Sequence, residues 1–133
     1  MLLADDSGLV VPALDGAPGV HSARYAGAEA TNLQRIQKLL EEMHGKGGQE
    51  RSAYFVCAIA LVRKRRALAV VTDRVDGRIL ESPRGAGGFG YDPVFYFPPL
   101  KKTFAELSSE EKNQYSHRGK AFRKLLAALS SML

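Results

Sequence analysis

Apolar residues along the chain fall into short runs with different spacings, and each spacing predicts an element. From Thr31 to Gly45, Leu33, Ile36, Leu39, Leu40 and Met43 recur every three or four positions behind Thr31-Asn32-Leu33-Gln34, a capping-box pattern. This predicts a helix, with Gln34, Arg35, Lys38, Glu41 and Glu42 on a solvated face that carries no chemistry. Ser52–Val62 is apolar on both alternating faces and rich in aromatic and β-branched residues, and Ala67–Thr72 is a second apolar run. The two predict a hairpin at the centre of a sheet. Val75-Asp76-Gly77-Arg78 carries a turn or bulge signal, Ile79-Leu80 resumes a strand, and Val94–Phe97 forms another, stopped by Pro98-Pro99. Ser108 with Glu111 starts a short helix, and a second helix follows with Ala121, Phe122, Leu125, Leu126 and Leu129 on one face. At the front, Leu2–Ala4 and Leu9–Val11 flank Asp5-Asp6-Ser7-Gly8, which places the acidic pair in a loop or at a strand end. Asp15–Gly27, rich in Gly, Pro, Ala and Ser, reads as an irregular connection with Arg24 and Tyr25 as its larger side chains.

This order of elements, with no internal repeat, predicts one mixed α/β domain: an antiparallel-rich sheet flanked by helices, at 133 residues long enough for one core rather than two. Composition adds that the chain folds as a soluble protein, being 45% hydrophobic and 25% charged. A single cysteine, Cys57, excludes an internal disulfide and fits a reducing cytoplasm. The longest apolar run, Ala53–Val62, is far short of the roughly 20 residues of a bilayer span, so no membrane partner is expected. Nineteen Lys and Arg against 14 Asp and Glu give +5, which suits a polyanion such as a nucleotide. The densest run, Arg63-Lys64-Arg65-Arg66, reads first as an exposed turn and second as a phosphate-binding patch. No nucleic-acid motif accompanies it, and a nucleic-acid partner is not expected on motif grounds.

Three clusters carry candidate chemistry, each beside a plainer reading. Asp5-Asp6-Ser7-Gly8 is either a turn or a hard-cation site, since Mg²⁺ needs only one or two carboxylates plus substrate phosphates. A neighbouring carboxylate can then take a proton from attacking water. Gly85-Ala86-Gly87-Gly88-Phe89-Gly90-Tyr91-Asp92 is either a flexible loop beside core aromatics or a base site, with glycines admitting a planar ligand, an aromatic ring for stacking and Asp92 to read a ring N–H. Lys112 with Ser116-His117-Arg118-Gly119 is either an ordinary helix start or a compact cationic pocket.

In this order the clusters resemble the inosine triphosphate pyrophosphatase family, also called XTP/dITP diphosphatases. The resemblance rests on "ADDSGL" at 4–9, "GAPGVHSARYAG" at 16–27, "GAGGFGYDPVF" at 85–95 and "ELSSEEKNQYSHRGKA" at 106–121. It implies Mg²⁺-dependent hydrolysis of non-standard purine nucleoside triphosphates to the monophosphate and pyrophosphate, commonly by a homodimer. It further implies that Asp6 is proton acceptor and metal-associated carboxylate. Substrate contacts would come from Ser7, from Phe89 as stacking ring with Gly90, Tyr91 and Asp92, and from Lys112, His117 and Arg118, the His-Arg pair facing the purine. A 6-oxo purine presents an acceptor at C6 and a donor at N1, the reverse of adenine, so donors from His117 or Arg118 with an acceptor such as Asp92 suit the former. Mispaired buried polar groups can discriminate by as much as roughly 10⁴-fold.

The family's first strand, its Ser-Gly-Asn and Lys phosphate-binding motif, a Glu metal ligand and a further Lys all precede the segment where this chain begins. The resemblance therefore implies an N-terminally truncated form of the fold, with a second reading as a catalytically impaired nucleotide-binding or dimerising fragment. Thr72-Asp73 also departs from the family's usual aromatic or small residue followed by Glu-Gly, a difference expected to affect packing rather than chemistry.

Overall fold

Alternation dictates the centre of the molecule. In Ser52–Arg63 the residues Ala53, Phe55, Cys57, Ile59 and Leu61 are buried, and those between them are half-buried. One face of this strand thus builds the core while the other keeps partial contact with solvent. The structure, a computed structural model, describes residues 2–19, 25–27, 29–88 and 90–132, with side chains except at 2–6, 67, 68, 117, 118 and 129–132.

Six strands, β1 (Leu2–Val10), β2 (Pro18–Gly19), β3 (Ser52–Arg63), β4 (Arg66–Ile79), β5 (Phe95–Phe97) and β6 (Lys102–Thr103), form one sheet in the order β2-β1-β3-β4-β5-β6. Each of these pairings is antiparallel, as hairpin-like connections favour. Three helices accompany it: α1 (Asn32–Glu42), α2 (Ser109–Tyr115) and α3 (His117–Met132). The capping boxes predicted at Thr31 and Ser108 are present, each hydroxyl accepting the third N–H while the Gln34 or Glu111 side chain returns to the cap.

Two apolar clusters share the buried face of β3. Phe55, Phe95 and Phe104 pack with ring centroids 4.5–5.8 Å apart, joined by Leu9, Ile36, Leu39, Met43 and Tyr91. Farther along, Cys57, Ile59 and Leu61 meet Ala121 and Leu125 of α3.

Several expectations change. The acidic pair lies inside β1 rather than in a loop: Asp5 stands opposite Ile59 and Asp6 opposite Ala58. Continuous backbone pairing with the apolar β3 overrides the poor strand preference of Asp, Ser and Gly. Asp76-Gly77 is likewise inside β4, opposite Tyr54 and Ala53. Gly77 serves packing there, because a Cβ would come within 2.7 Å of the Phe95 ring. On α3 the buried line is Ala121 and Leu125, whereas Phe122 and Leu126 are 45% and 49% exposed; Leu129 lies outside the described side chains. Leu33, at the first turn of α1, is also exposed.

Asp73 shows what the unusual Thr72-Asp73 does. Lys120 and Lys124, one turn apart on α3, stand 3.4 and 3.7 Å from its carboxylate and donate to the carbonyls of Arg74 and Thr72, both at 2.7 Å. The helix is thereby tied to β4 by charge as well as by Ala121 and Leu125. Burial pushes the Asp73 carboxyl up, but the Arg74 N–H and the two lysines more than reverse this and hold it below its ordinary 3.8. A depressed folded value adds stability above the ordinary value and loses it as pH falls through the folded one. Asp73→Asn should therefore lower stability at pH 7 by roughly 1 kcal/mol or less, since the pairs are this exposed. The gap between variant and parent should close below about pH 4, and thermal melts across pH 3–7 read it out.

Candidate functional site

The Gly-rich segment is held by the protein's own chain. Arg84 N–H donates to the Pro93 carbonyl at 2.8 Å, Gly87 N–H to Ala105 at 3.1 Å, and Thr103 Oγ1 to the Arg84 carbonyl at 2.7 Å. A Cβ at Gly85 or Gly87 would come within 2.8–2.9 Å of Ala105, and one at Gly88 within 2.9 Å of the Asp92 Cβ. At those three positions a side chain would meet protein, and at Gly85 and Gly88 φ of +91° and +71° calls for glycine as well. Gly90, at φ +60° with open space where a Cβ would stand, is the one that leaves room.

This packing delivers Tyr91 and Asp92, both about 5% exposed, to a 3-10 turn over Asp92–Val94. The Asp92 carboxylate forms a salt bridge with the Lys112 ammonium, 20 residues on in α2. A carboxylate so deeply buried is tolerated because it is paired. Lys112 is therefore the partner of a buried anion.

Lys112 and the His-Arg pair sit on separate helices. Ser116 interrupts them in extended conformation, its N–H still bonded to the Lys112 carbonyl at 2.7 Å. Its Oγ accepts the Gly119 N–H at 3.0 Å, so His117 and Arg118 occupy the first turn of α3. Backbone N–H groups in a first turn have no partner within the helix and face an acceptor-rich ligand favourably. The side chains of Asp6, His117 and Arg118, and Phe89 as a whole, lie outside the described residues. Ser7, opposite Cys57 in β1, is half-buried.

Local sequence pattern missed a support around Tyr91. Its ring meets Tyr25 edge-on at 6.5 Å, the Tyr25 hydroxyl donates to the Glu42 carboxylate, and Lys38 stands 4.4 Å from the Tyr25 ring centre. Burial raises the Tyr25 hydroxyl far above its ordinary value, and Glu42 adds to this; burial also raises Tyr91, partly offset by Arg35. Arg35 donates to Asn32 at 2.9 Å, while its Nε is buried with no hydrogen-bond partner among the described residues. The supposedly solvated face of α1 thus braces the 90–92 segment; the one sequence signal was Tyr25 itself, a large ring in a small-residue stretch.

Two other cavities stand apart. One of about 810 Å³ lies behind α2, lined by Phe97, Tyr115, Asn113, Lys120 and Arg123 among others, and holds none of the predicted site residues. The second, about 390 Å³, is lined by Arg51, Arg78, Arg84 and Tyr96 near the root of the Gly-rich segment.

The Ham1 family model matches residues 1–128. The chain belongs to the Ham1 family. The dITP/XTP pyrophosphatase of Geobacillus kaustophilus is 58% identical over 124 residues, covering 93% of this chain and 61% of that protein. Among solved structures, the Ham1 protein of Coxiella burnetii superposes with TM-score 0.91 at 48% identity, covering 97% of this chain and 66% of that one. That of Staphylococcus aureus gives 0.93 at 44% identity, covering 98% and 67%. The mixed α/β fold is thus the Ham1 fold over almost all of this chain. The chain spans 55–61% of the length of three curated relatives.

No group of three His, Cys, Asp or Glu suited to a metal occurs among the described residues. Asp6 of β1, whose side chain lies outside the described residues, is of the hard-oxygen type Mg²⁺ takes when substrate phosphates complete its shell. No helix among the described residues is long and apolar enough to cross a membrane.

Proposed function

We propose that this Ham1 protein hydrolyses inosine, deoxyinosine and xanthosine triphosphates between the α and β phosphates, consuming water and giving the monophosphate, pyrophosphate and a proton. What supports the reading is that a relative 58% identical across 93% of the chain is a dITP/XTP pyrophosphatase, together with the Asp92–Lys112 pair that ties Asp92 to α2.

In this reading Asp6 accepts the proton of the attacking water and offers oxygen ligands to Mg²⁺. Bound there with the substrate, Mg²⁺ would neutralise phosphate charge. Ser7 contacts the phosphates, and Phe89 stacks on the base beside Gly90. Tyr91, braced by Tyr25 and Arg35, sets the position of that segment. Asp92 holds Lys112 in place for the substrate, so the two act as one unit. His117 and Arg118, at the start of α3, donate to the 6-oxo group, which is where adenine would present a donor instead.

Pyrophosphate release from inosine, xanthosine and adenosine triphosphates with Mg²⁺ tests the reading. The expected outcome is a kcat/KM for the two 6-oxo substrates at least about 10²-fold above that for adenosine triphosphate. Equal values for all three would overturn the assignment.

A further inference from the structure

The tip of the β3–β4 hairpin concentrates four cations in four residues. Arg63 pairs with Arg66, which leaves Lys64-Arg65 as a two-residue turn with φ of +49° and +63°. Turns with both central residues at positive φ favour Asn-Gly or Asp-Gly; side chains beyond Cβ are disfavoured there. The chain places two cations at the strained positions and two more directly opposite one another, although like charges facing across a strand pair repel. All four are exposed, and none takes part in a side-chain hydrogen bond or ion pair among the described residues. No acidic residue occurs between Glu50 and Asp73. Both strain and repulsion lower stability locally, and the fold gains nothing in return.

We propose that this tip is a contact for nucleic acid, made with phosphates and independent of base sequence. Its charge, four cations with no acidic residue near them in the chain, selects a polyanion. An anionic bilayer would call for aromatic or aliphatic side chains beside the cations, and residues 63–66 contain none. A protein partner needs on the order of 1,000 Å² of complementary surface, more than a four-residue tip offers. A linear polyphosphate needs only point charges, because released counterions supply the driving force.

Fluorescence anisotropy with a labelled 20-base-pair DNA duplex, titrated between 25 and 200 mM NaCl, tests this. Four phosphate contacts predict that log K falls against log salt with a slope of about −3.6. The variant K64N/R65G restores a favoured turn and removes two contacts, so its slope should fall to about −1.8 while its melting temperature rises. R78Q/K101Q, which removes the same formal charge from another exposed surface, should keep the parent slope. No binding at 50 mM salt, an unchanged slope in K64N/R65G, or equal loss in R78Q/K101Q overturns the proposal. Equally tight binding to phosphatidylserine vesicles or to polyglutamate overturns the choice of nucleic acid.

Discussion

Replacing Asp6 with asparagine is expected to lower pyrophosphate release from inosine triphosphate by about 10²-fold or more, with KM little changed. The substitution keeps size and shape, and position 6 sits in a strand paired residue by residue from Leu2 to Val10, so the backbone has no reason to move. What changes is the ability to take a proton from water as it attacks phosphorus, a contribution made only in the transition state, so kcat falls rather than affinity. Asp5→Asn serves as comparison, removing the neighbouring carboxylate from the opposite face of the strand, while Asp6 itself is proposed both to hold Mg²⁺ and to take the proton. Steady-state kinetics across Mg²⁺ concentrations separate the two, because added Mg²⁺ rescues a weakened ligand and not a missing base. A D6N enzyme as fast as the parent at saturating Mg²⁺ would remove Asp6 from the chemistry.

The largest expected effect on stability is at Arg51. This guanidinium is 5% exposed and donates to four backbone carbonyls: Ile79 at 2.7 Å, Leu80 at 2.8 Å, Lys46 at 3.0 Å and Met43 at 3.2 Å. It thus joins the end of α1 to the end of β4, just before the chain enters the Gly-rich segment. Arg51→Met keeps the apolar stem and strands the carbonyls, each at about 1–3 kcal/mol if left dry. The 390 Å³ cavity that Arg51 lines gives water access to some of them, which brings the expected loss to about 3–5 kcal/mol rather than the full sum. In a domain this size the melting temperature should drop by more than about 10 °C. Arg51→Lys should recover only a small part, because an ammonium is a point charge and cannot span four acceptors in a plane. Denaturant melts decide it, and a loss under about 1 kcal/mol would show that water replaces the guanidinium at little cost.

Much of this was readable in the sequence wherever the signal is local. Thr31 and Ser108 announce their helices through chemistry three residues away, and the hairpin announces itself by two apolar runs with the basic turn between them. Asp92 and Lys112 were both picked out, yet their pairing was not, since nothing in either neighbourhood refers to a residue 20 positions away. The same holds for Tyr25 with Glu42, and for Asp73 with Lys120 and Lys124. Gly77 was misread for a related reason. Pattern shows that a side chain is missing, and only packing shows whether backbone conformation, a ligand or a neighbouring strand requires it. Two-residue strands such as β2 and β6 carry too few positions to display any period.

Three glycines pressed against Ala105 and Asp92 have an effect on how tightly this site can hold a small molecule. A mobile Gly-rich loop would have to be ordered at the moment of capture, at roughly 1–2 kcal/mol for each residue frozen. Here the hydrogen bonds of Arg84 and Gly87 form when the protein folds, so under the proposed function a nucleotide would meet a preorganised wall and keep for affinity what it would otherwise lose in entropy.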